Sequence, residues 1–277
     1  MIKTMAKKIL VVPDVHGRTF WKEPVRKYID EVNRVVFLGD YLDPYDEEGT
    51  DRRPEALFDN LMEIVALKQE QPDKVVLLKG NHDQHYASER FRKEAGGSRL
   101  DEENWEKYHE FFCKHKPLFR LAHIEMVKGI PYIFTHAGVT AFWLNEVNSQ
   151  VWMLPDGEVS LADPQIVEAI NLLDFDGPGQ DLLAIVGWRR SWFGEKTGSV
   201  LWADIFEHST PHAPNAYGLD KVFQVFGHTR LDGHIDDKME YENLVMVDSQ
   251  KCFIVDSAID EKIMTVRDYE MKVAKGQ

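Results

Sequence analysis

Five short segments of this chain carry aspartate, histidine and asparagine side chains in patterns that suit metal ligation. Carboxylate, amide and imidazole donors suit divalent ions such as Mn, Fe, Zn or Co, and no cysteine in these segments demands a softer metal. One such segment alone would be weak, because short acidic motifs recur by chance in a chain with 47 acidic residues. The five segments are Asp14-Val15-His16, Gly39-Asp40-Tyr41-Leu42-Asp43, Gly80-Asn81-His82-Asp83, His136-Ala137-Gly138 and Gly227-His228-Thr229.

The first three segments each follow directly on a short aliphatic run of the buried-strand type. Helical spacing of apolar residues lies between these runs. The alternation predicts a right-handed parallel β-α-β arrangement. Ligand sites in such sheets lie beyond the carboxyl ends of the strands, which is where Asp14, Asp40 and Asn81 fall. The runs are residues 8–12, 34–38 and 74–78, and the helices are residues 21–31 and 54–69.

The second half of the chain carries further strand-like runs with short links, which favours a second, more antiparallel sheet. Two stretches interrupt the scheme, residues 84–116 and 140–220, and both are rich in aromatic and charged side chains. We expect these insertions to shape a substrate pocket or cap on the motif face. No repeat or linker divides the chain, so we predict one domain over residues 1–277. The later strand-like runs are residues 131–135, 222–226, 244–247, 252–255 and 263–266.

Composition excludes several classes of protein. Apolar residues make up 43% of the chain, which is ample for a buried core. The net charge of −14 argues against a nonspecific binder of nucleic acid or of an anionic membrane. We find no signal-peptide core and no apolar run of membrane-spanning length, so we expect a cytoplasmic location. Cys113 and Cys252 have apolar or aromatic neighbours and form no CxxC pair, so we predict two buried thiols.

The order and rough spacing of the five segments resemble those of the calcineurin-like metallophosphoesterases. The resemblance implies an α/β fold: a β-sandwich of two mixed sheets flanked by helices (αββα), with the active site at the carboxyl ends of the strands. It implies two divalent metal ions, with Mn as our first expectation and Fe, Zn, Co or Mg as alternatives. In the ligand set that it implies, the first ion is bound by Asp14 and His16, both ions are bridged by Asp40, and the second is bound by Asn81, His136 and His228.

The same resemblance implies a catalytic pair. His82 matches the residue that protonates the leaving oxygen, and Asp43 matches the carboxylate that orients its imidazole. A phosphate ester resists hydrolysis because it is anionic, water is a poor nucleophile and the leaving alkoxide is unstable. In the mechanism that the resemblance implies, a hydroxide bridging the two ions attacks the phosphorus, so no covalent phosphoenzyme is required.

The fifth segment places the chain within the superfamily. Many nucleases and cyclic-nucleotide phosphodiesterases end on GHxH, whereas this chain reads Gly227-His228-Thr229-Arg230 and lacks the second histidine. Residues 135–139 and the segment Leu201-Trp202-Ala203-Asp204 resemble a different branch. That branch holds the PPP-type serine/threonine phosphatases, the phage and bacterial protein phosphatases and the symmetrical diadenosine tetraphosphatases.

The second segment departs from the pattern of that branch, which reads GDxxDRG or GDxxARG and uses its arginine to clamp phosphate oxygens. Here Asp43 is followed by Pro44-Tyr45-Asp46-Glu47-Glu48, so the arginine is missing from its place. We interpret the acidic run, with Asp51, as a solvated loop. Spacing does not choose among the candidate substitutes, which are Arg18, Arg52, Arg53, Arg189, Arg190 and Arg230.

These observations leave three hypotheses. The leading one is a metal-dependent phosphatase for monoesters of a phosphoprotein or a small metabolite. The alternative is a hydrolase of dinucleoside polyphosphates, in which Trp143, Trp188 or Trp192 would stack a nucleotide base. A non-catalytic binding module is the third, but it predicts eroded ligands and none is eroded here. The remaining histidines are assigned to the surface or to packing: His85, His109, His115, His123, His208, His212 and His234.

Overall fold

The computed structural model describes residues 7–46, 50–94, 98–155, 157–175, 177–190, 197–208, 216–231 and 237–276. Two mixed sheets lie face to face with helices on their outer faces, which confirms the predicted αββα architecture. Within the described ranges, every helix is too short or too polar to cross a bilayer.

The first sheet has the strand order β11-β10-β1-β2-β3-β4. Strands β1 to β4 are parallel, and β10 runs antiparallel to β1. The β-α-β arrangement predicted for the first third of the chain is therefore confirmed. The strands are β1 (Lys8–Val12), β2 (Arg34–Phe37), β3 (Val75–Leu78), β4 (Phe119–Arg120), β10 (Phe253–Asp256) and β11 (Met264–Thr265).

The second sheet has the order β5-β6-β7-β9-β8 and is only half antiparallel. The pairs β6·β7 and β7·β9 are parallel, whereas β5·β6 and β8·β9 are antiparallel. The prediction that all later strands form this sheet is wrong, because β10 and β11 join the first sheet instead. The strands of this second sheet are β5 (Ala122–Val127), β6 (Ile130–Thr135), β7 (Phe223–Phe226), β8 (Met239–Tyr241) and β9 (Leu244–Met246).

Alternation along the strands divides the buried apolar side chains of the described residues among four clusters. In β1, Ile9 and Val11 face the second sheet, whereas Leu10 and Val12 face helices. Helices α1, α2, α5 and α10 cover the first sheet, and α6, α7 and α8 cover the second. The helices are α1 (Lys22–Tyr28), α2 (Pro54–Glu70), α3 (Asn81–Ala87), α4 (Glu89–Glu94), α5 (Trp105–His115), α6 (Ala141–Val147), α7 (Pro164–Leu172), α8 (Gly177–Leu183), α9 (Ile205–His208) and α10 (Val266–Ala274).

The prediction for the two cysteines is confirmed for Cys252, which is buried, and wrong for Cys113, which is exposed. Helix α5 buries Trp105, Tyr108 and Phe112 on one face, at the helical spacing of three and four residues. Cys113 follows Phe112 and therefore points away from that face. The aromatic residues next to Cys113 in the sequence do not mean that Cys113 is buried, because adjacent residues of a helix point in different directions.

A buried ion pair joins the end of β3 to the insertion at residues 140–220. Nζ of Lys79 lies 2.6 Å from Oδ2 of Asp174, and their side chains are 2% and 8% exposed. Nε2 of Gln84 donates to Oδ1 of Asp174 at 3.3 Å. Burial alone would raise the pKa of the Asp174 carboxyl, but the charge and hydrogen bond of Lys79 bring that pKa below its ordinary value. The pair therefore stabilises the fold when Asp174 is ionised.

We expect Asp174→Ala to lower the free energy of unfolding by about 3–5 kcal/mol, because the Lys79 ammonium would stay buried without its carboxylate. Asp181→Ala is the control: its pair with Arg90 is exposed, and such pairs contribute about 0–1 kcal/mol. Urea unfolding followed by circular dichroism measures both. The contribution of Asp174 should be lost as the pH falls through its lowered folded pKa. Equal, small losses in the two variants would contradict a stabilising role for the buried pair.

Candidate metal centre

The six predicted ligands lie together beyond the carboxyl ends of β1, β2, β3, β6 and β7. Each of these strands ends in a short turn that carries one segment of the sequence pattern. Five of the six side chains belong to residues at most 3% exposed, and His228 is partly buried. Polar side chains buried this deeply require partners, since an unpaired buried polar group is costly. The structure thus brings together what the sequence distributes over more than two hundred residues.

One group of donor atoms surrounds a single point near Asp40. Nε2 of His136 lies 2.9 Å from Oδ1 of Asn81 and 3.1 Å from Nδ1 of His228. Nδ1 of His228 lies 3.0 Å from the same Asn81 oxygen, and Oδ2 of Asp40 lies 3.6 Å from Nε2 of His136. Asp40, His136 and His228 form a group whose ligand atoms all lie within 4.8 Å of one another.

A second group shares Asp40 and consists of Asp14, His16 and Asp40. Nε2 of His16 lies 3.5 Å from Oδ2 of Asp40. Oδ2 of Asp14 accepts the backbone N–H of His228 at 3.0 Å, which ties the first segment to the fifth. Because Asp40 belongs to both groups, its position suits a carboxylate that bridges two ions.

The tautomers of two histidines are set by backbone carbonyls. Nδ1 of His16 donates to the carbonyl oxygen of Leu42, and Nδ1 of His136 donates to that of Leu38, each at 2.9 Å. Each imidazole then directs the Nε2 lone pair at Asp40, which is the form that binds metal. Nε2 of His228 is buried and has no hydrogen-bond partner among the described residues. The donor set therefore fits one or more divalent cations.

Burial tunes the protonation of these side chains. It raises the pKa of Asp14 well above its ordinary value, and the charges of Asp248 and Asp40 raise it further. It lowers the pKa of His16, His136 and His228. Neutral imidazoles and crowded carboxylates are the combination that a divalent ion stabilises. Sequence reasoning missed Asp248, which is 2% exposed and follows β9 just as the ligands follow their own strands.

The backbone of four site residues lies in the left-handed region. The φ angles are 46° at His16, 51° at Asp40, 58° at Asp43 and 70° at His228. Aspartate and histidine tolerate this region better than most residues, and glycine tolerates it best. Contacts between segments hold the conformation: the backbone N–H of His16, for example, donates to the carbonyl oxygen of Asp40 at 2.6 Å. Positive φ at such sites is a feature of functional turns.

Two glycines in the segments make room for carboxylates. A Cβ on Gly80 would lie 2.0 Å from Oδ1 of Asp40, and a Cβ on Gly227 would lie 2.0 Å from Oδ1 of Asp14. Of the three glycines that directly precede a predicted ligand, Gly39, Gly80 and Gly227, only Gly39 has a positive φ, at 110°. The other two are needed because a ligand carboxylate occupies the space of their side chain.

The predicted acid and its partner are in contact. Nδ1 of His82 lies 2.6 Å from Oδ2 of Asp43. Burial would lower the pKa of His82, but the charge of Asp40 and the hydrogen bond to Asp43 raise it. Tyr86 donates from its hydroxyl to Oδ1 of Asp43. Sequence reasoning missed Tyr86, although the spacing of four from His82 on α3 was the available signal.

Asp83 is a second residue whose role sequence reasoning missed. Its carboxylate accepts the backbone N–H groups of Gly80, Asp40 and Tyr41, at 2.8, 2.8 and 2.9 Å. Asp83 therefore fastens the turn after β2, which carries Asp40, to the turn after β3, which carries Asn81. His85, two residues further along α3, is 1% exposed, and burial lowers its pKa to about 4.

Three of the six candidate arginines have partners away from the ligand atoms. Arg52 pairs with Asp46, and Arg53 pairs with Asp51 while its side chain is 76% exposed. The guanidinium of Arg189 lies over the rings of Trp188 and Phe206, at 5.2 and 4.9 Å from their centroids. All three of these arginines are exposed to solvent.

Five residues named in the sequence analysis lie outside the described residues: Glu47, Glu48, Trp192, His212 and His234.

The other three candidates lie at the site. Arg18 donates from Nη2 to the carbonyl oxygen of Asp14 at 2.7 Å and thereby supports the first segment. Nη2 of Arg190 lies 3.2 Å from Oδ2 of Asp204 and 2.5 Å from Oγ1 of Thr229. Cζ of Arg230 lies 3.6 Å from the centroid of the Tyr45 ring. Arg190 and Arg230 are thus within reach of the centre.

Arg99 joins them although nothing in its sequence context indicated it. Its Nε donates to the carbonyl oxygen of Asp43 at 3.1 Å, and its Cζ lies 3.5 Å from the centroid of the Tyr45 ring. Arg99 comes from the insertion at residues 84–116, so only tertiary structure brings it here. Trp143, by contrast, is fully buried and donates from Nε1 to the carbonyl oxygen of Leu182, so it is not available to stack a base.

The sequence matches the model of one protein family over most of its length. The sequence profile of the calcineurin-like phosphoesterases matches residues 7–230, which contain all five segments. No curated protein matches this chain. Among solved structures, the chain is similar to a protein serine/threonine phosphatase from Saccharomyces cerevisiae that is itself described as similar to human phosphatase PP5. That similarity has a TM-score of 0.52 at 17% identity and covers 94% of this chain and 79% of the other.

A second solved structure, the phosphoesterase YfcE from E. coli, is 18% identical over 47% of this chain and 57% of its own, with a TM-score of 0.27. A TM-score this low supports no structural argument. The similarity to the yeast phosphatase is a similarity of fold, since 17% identity does not carry an activity from one protein to another.

Proposed function

This chain belongs to the calcineurin-like phosphoesterases, and from that premise we propose that it is a metal-dependent phosphatase acting on phosphate monoesters. The observation that carries the proposal is the convergence of two ligand groups on Asp40, with the His82–Asp43 pair beside them. The substrate that we propose is a phosphoprotein or a small phosphorylated metabolite. The cytoplasmic location and the single domain stay predictions from the sequence.

We assign two divalent ions to the centre, with Mn ahead of Fe, Zn, Co and Mg. The first would be held by Asp14, His16 and Asp40, and the second by Asp40 together with the amide and imidazoles described above. When bound, such ions polarise phosphoryl oxygens and lower the pKa of a coordinated water. His16 and His136 are prepared for ligation because backbone carbonyls already fix their tautomers.

His82 supplies the proton that the leaving oxygen needs. Nδ1 is engaged by Asp43, so Nε2 is the atom that faces outward to donate. The raised pKa keeps this imidazole protonated to a higher pH than an ordinary histidine. Tyr86 holds the far oxygen of Asp43 and thereby fixes the rotation of the pair. Arg190, held by Asp204, is placed to bind phosphate oxygens next to His228.

The structure weakens one support for the alternative of a dinucleoside polyphosphate hydrolase. Of its three candidate stacking residues, Trp143 is buried, Trp188 is half exposed and Trp192 lies outside the described residues. The non-catalytic module predicts a disrupted centre, whereas all six ligand side chains converge here. Monoester hydrolysis therefore stays our proposal.

The test is hydrolysis of p-nitrophenyl phosphate by chelator-stripped protein refilled separately with Mn, Fe, Zn, Co or Mg. We expect turnover only after refilling, because the centre has no other source of Lewis acidity. Metal content is measured on the same samples, and bis(p-nitrophenyl) phosphate is the comparison substrate. Faster turnover of this diester would overturn monoester specificity. No turnover of either substrate by protein that holds two ions would overturn the phosphatase proposal.

A further inference from the structure

Tyr45 occupies a place that the pattern GDxxDRG gives to glycine, and its ring has charged groups on both faces. Cζ of Arg99 lies 3.5 Å and Cζ of Arg230 lies 3.6 Å from the ring centroid. Two guanidinium groups so close to one centroid would collide on the same face, so they lie on opposite faces. The three side chains form an Arg99–Tyr45–Arg230 stack.

The stack stands beside the metal centre. The ring of His16 contacts Tyr45 edge to face, with centroids 4.8 Å apart and an interplanar angle of 79°. Arg99 is also tied to the catalytic pair through the carbonyl oxygen of Asp43. Arg230 lies two residues after His228 in the chain. The stack therefore joins the second segment, the first insertion and the fifth segment beside His16, a predicted ligand of the first ion.

A tyrosine ring is suited to hold two cations here. Its faces are negative, so each guanidinium is attracted to the ring although the two cations repel each other. Stacking engages the flat face of a guanidinium, whereas binding of phosphate uses the N–H donors in its plane. A stacked arginine is therefore ordered and still able to bind an anion.

We propose that Tyr45 is a positioning residue that holds Arg99 and Arg230 as phosphate-binding cations in addition to Arg190, in place of the arginine missing after Asp43. The inference rests on the proposed phosphatase function. Two cations set apart by a ring contact different oxygens of one phosphoryl group. A phosphate monoester carries close to two negative charges at neutral pH, whereas a diester carries one. The stack therefore selects dianionic monoesters over diesters.

The test replaces Tyr45 with leucine, which keeps apolar volume against His16 but has no π face, and with phenylalanine, which keeps the ring. In Mn-loaded protein, we expect Tyr45→Leu to weaken binding of inorganic phosphate by about tenfold, because both guanidinium groups lose their platform. KM for p-nitrophenyl phosphate should rise more than kcat falls, and the preference for monoester over diester should shrink. Tyr45→Phe should stay within about twofold of the wild type.

Further variants separate positioning from a general loss of structure. Arg99→Ala should weaken phosphate binding in the wild type and have a smaller effect in Tyr45→Leu, since contacting residues are not additive. Arg53→Ala, at an exposed ion pair, should change nothing. Unchanged phosphate affinity in Tyr45→Leu, or equal damage from leucine and phenylalanine, would overturn the proposal. Because phosphate binding is measured without turnover, loss of binding in Tyr45→Leu alongside an inactive wild type would reject only the phosphatase function.

Discussion

Replacement of Asp40 by asparagine is expected to lower kcat for p-nitrophenyl phosphate by about a thousandfold or more, because metal ions supply several kcal/mol of charge stabilisation to such transition states. Oδ2 of Asp40 lies 3.5 Å from Nε2 of His16 and 3.6 Å from Nε2 of His136. Asparagine keeps the size of the side chain but removes the shared charge. Both ion positions should therefore lose affinity together.

Steady-state kinetics and elemental analysis of the dialysed protein measure the two effects. Asp46→Asn is the matched control, since Asp46 lies on the same loop and its side chain is 89% exposed. We expect this control to keep wild-type activity and metal content. An Asp40→Asn protein that binds two ions and turns over normally would show that Asp40 is not a shared ligand. Loss of one ion alone would place Asp40 in a single ligand group.

Replacement of His82 by alanine should slow hydrolysis of alkyl phosphates by about 10²- to 10⁴-fold, the usual contribution of a general acid. The effect should be much smaller for p-nitrophenyl phosphate, since nitrophenolate is stable without a proton. The measurement is kcat/KM across a series of leaving groups of different pKa. A steeper dependence on leaving-group pKa in His82→Ala would identify the lost proton donor.

Metal content distinguishes this role from ligation. Asp43, His82 and His85 also have donor atoms close enough to hold an ion. If His82 were a ligand, its removal would lower metal content and slow all substrates equally. His123→Ala is the control, because His123 is partly buried and pairs with Glu125 on β5. We expect that variant to hydrolyse both kinds of substrate at the wild-type rate.

The first third of the fold was predictable because its strands are buried on both sides and its helices have a clear apolar face. The predicted strands at residues 34–38 and 74–78 differ from β2 and β3 by one residue at an end. The partners of β10 were not predictable. An apolar run indicates that a strand is buried, but it does not indicate which strand lies beside it. Strand β10, near the end of the chain, pairs with β1, near its start.

The candidate metal centre was likewise predictable from the sequence only in part. The ligands were predictable because their residue types and positions after strands follow from metal chemistry. Arg99 was not, because it reaches Tyr45 from the insertion at residues 84–116. Trp143 looked available for stacking because an aromatic residue in an insertion carries no sign of its burial. The candidate ligands and the candidate acid were thus visible in the sequence, whereas the arginines that we propose to bind phosphate depend on tertiary contacts.

His16, Asp40, Asp43 and His228 have left-handed backbone conformations. At these positions, the side chain that the proposed activity needs is held at the expense of local backbone strain. Glycine would adopt each of these φ angles with less strain, so replacement there would relieve local strain while removing a donor or the partner of the acid. A descendant that had lost catalysis would be free to accumulate the same changes. Glycine in these turns of a homologous sequence would therefore mark a protein released from the demands of hydrolysis.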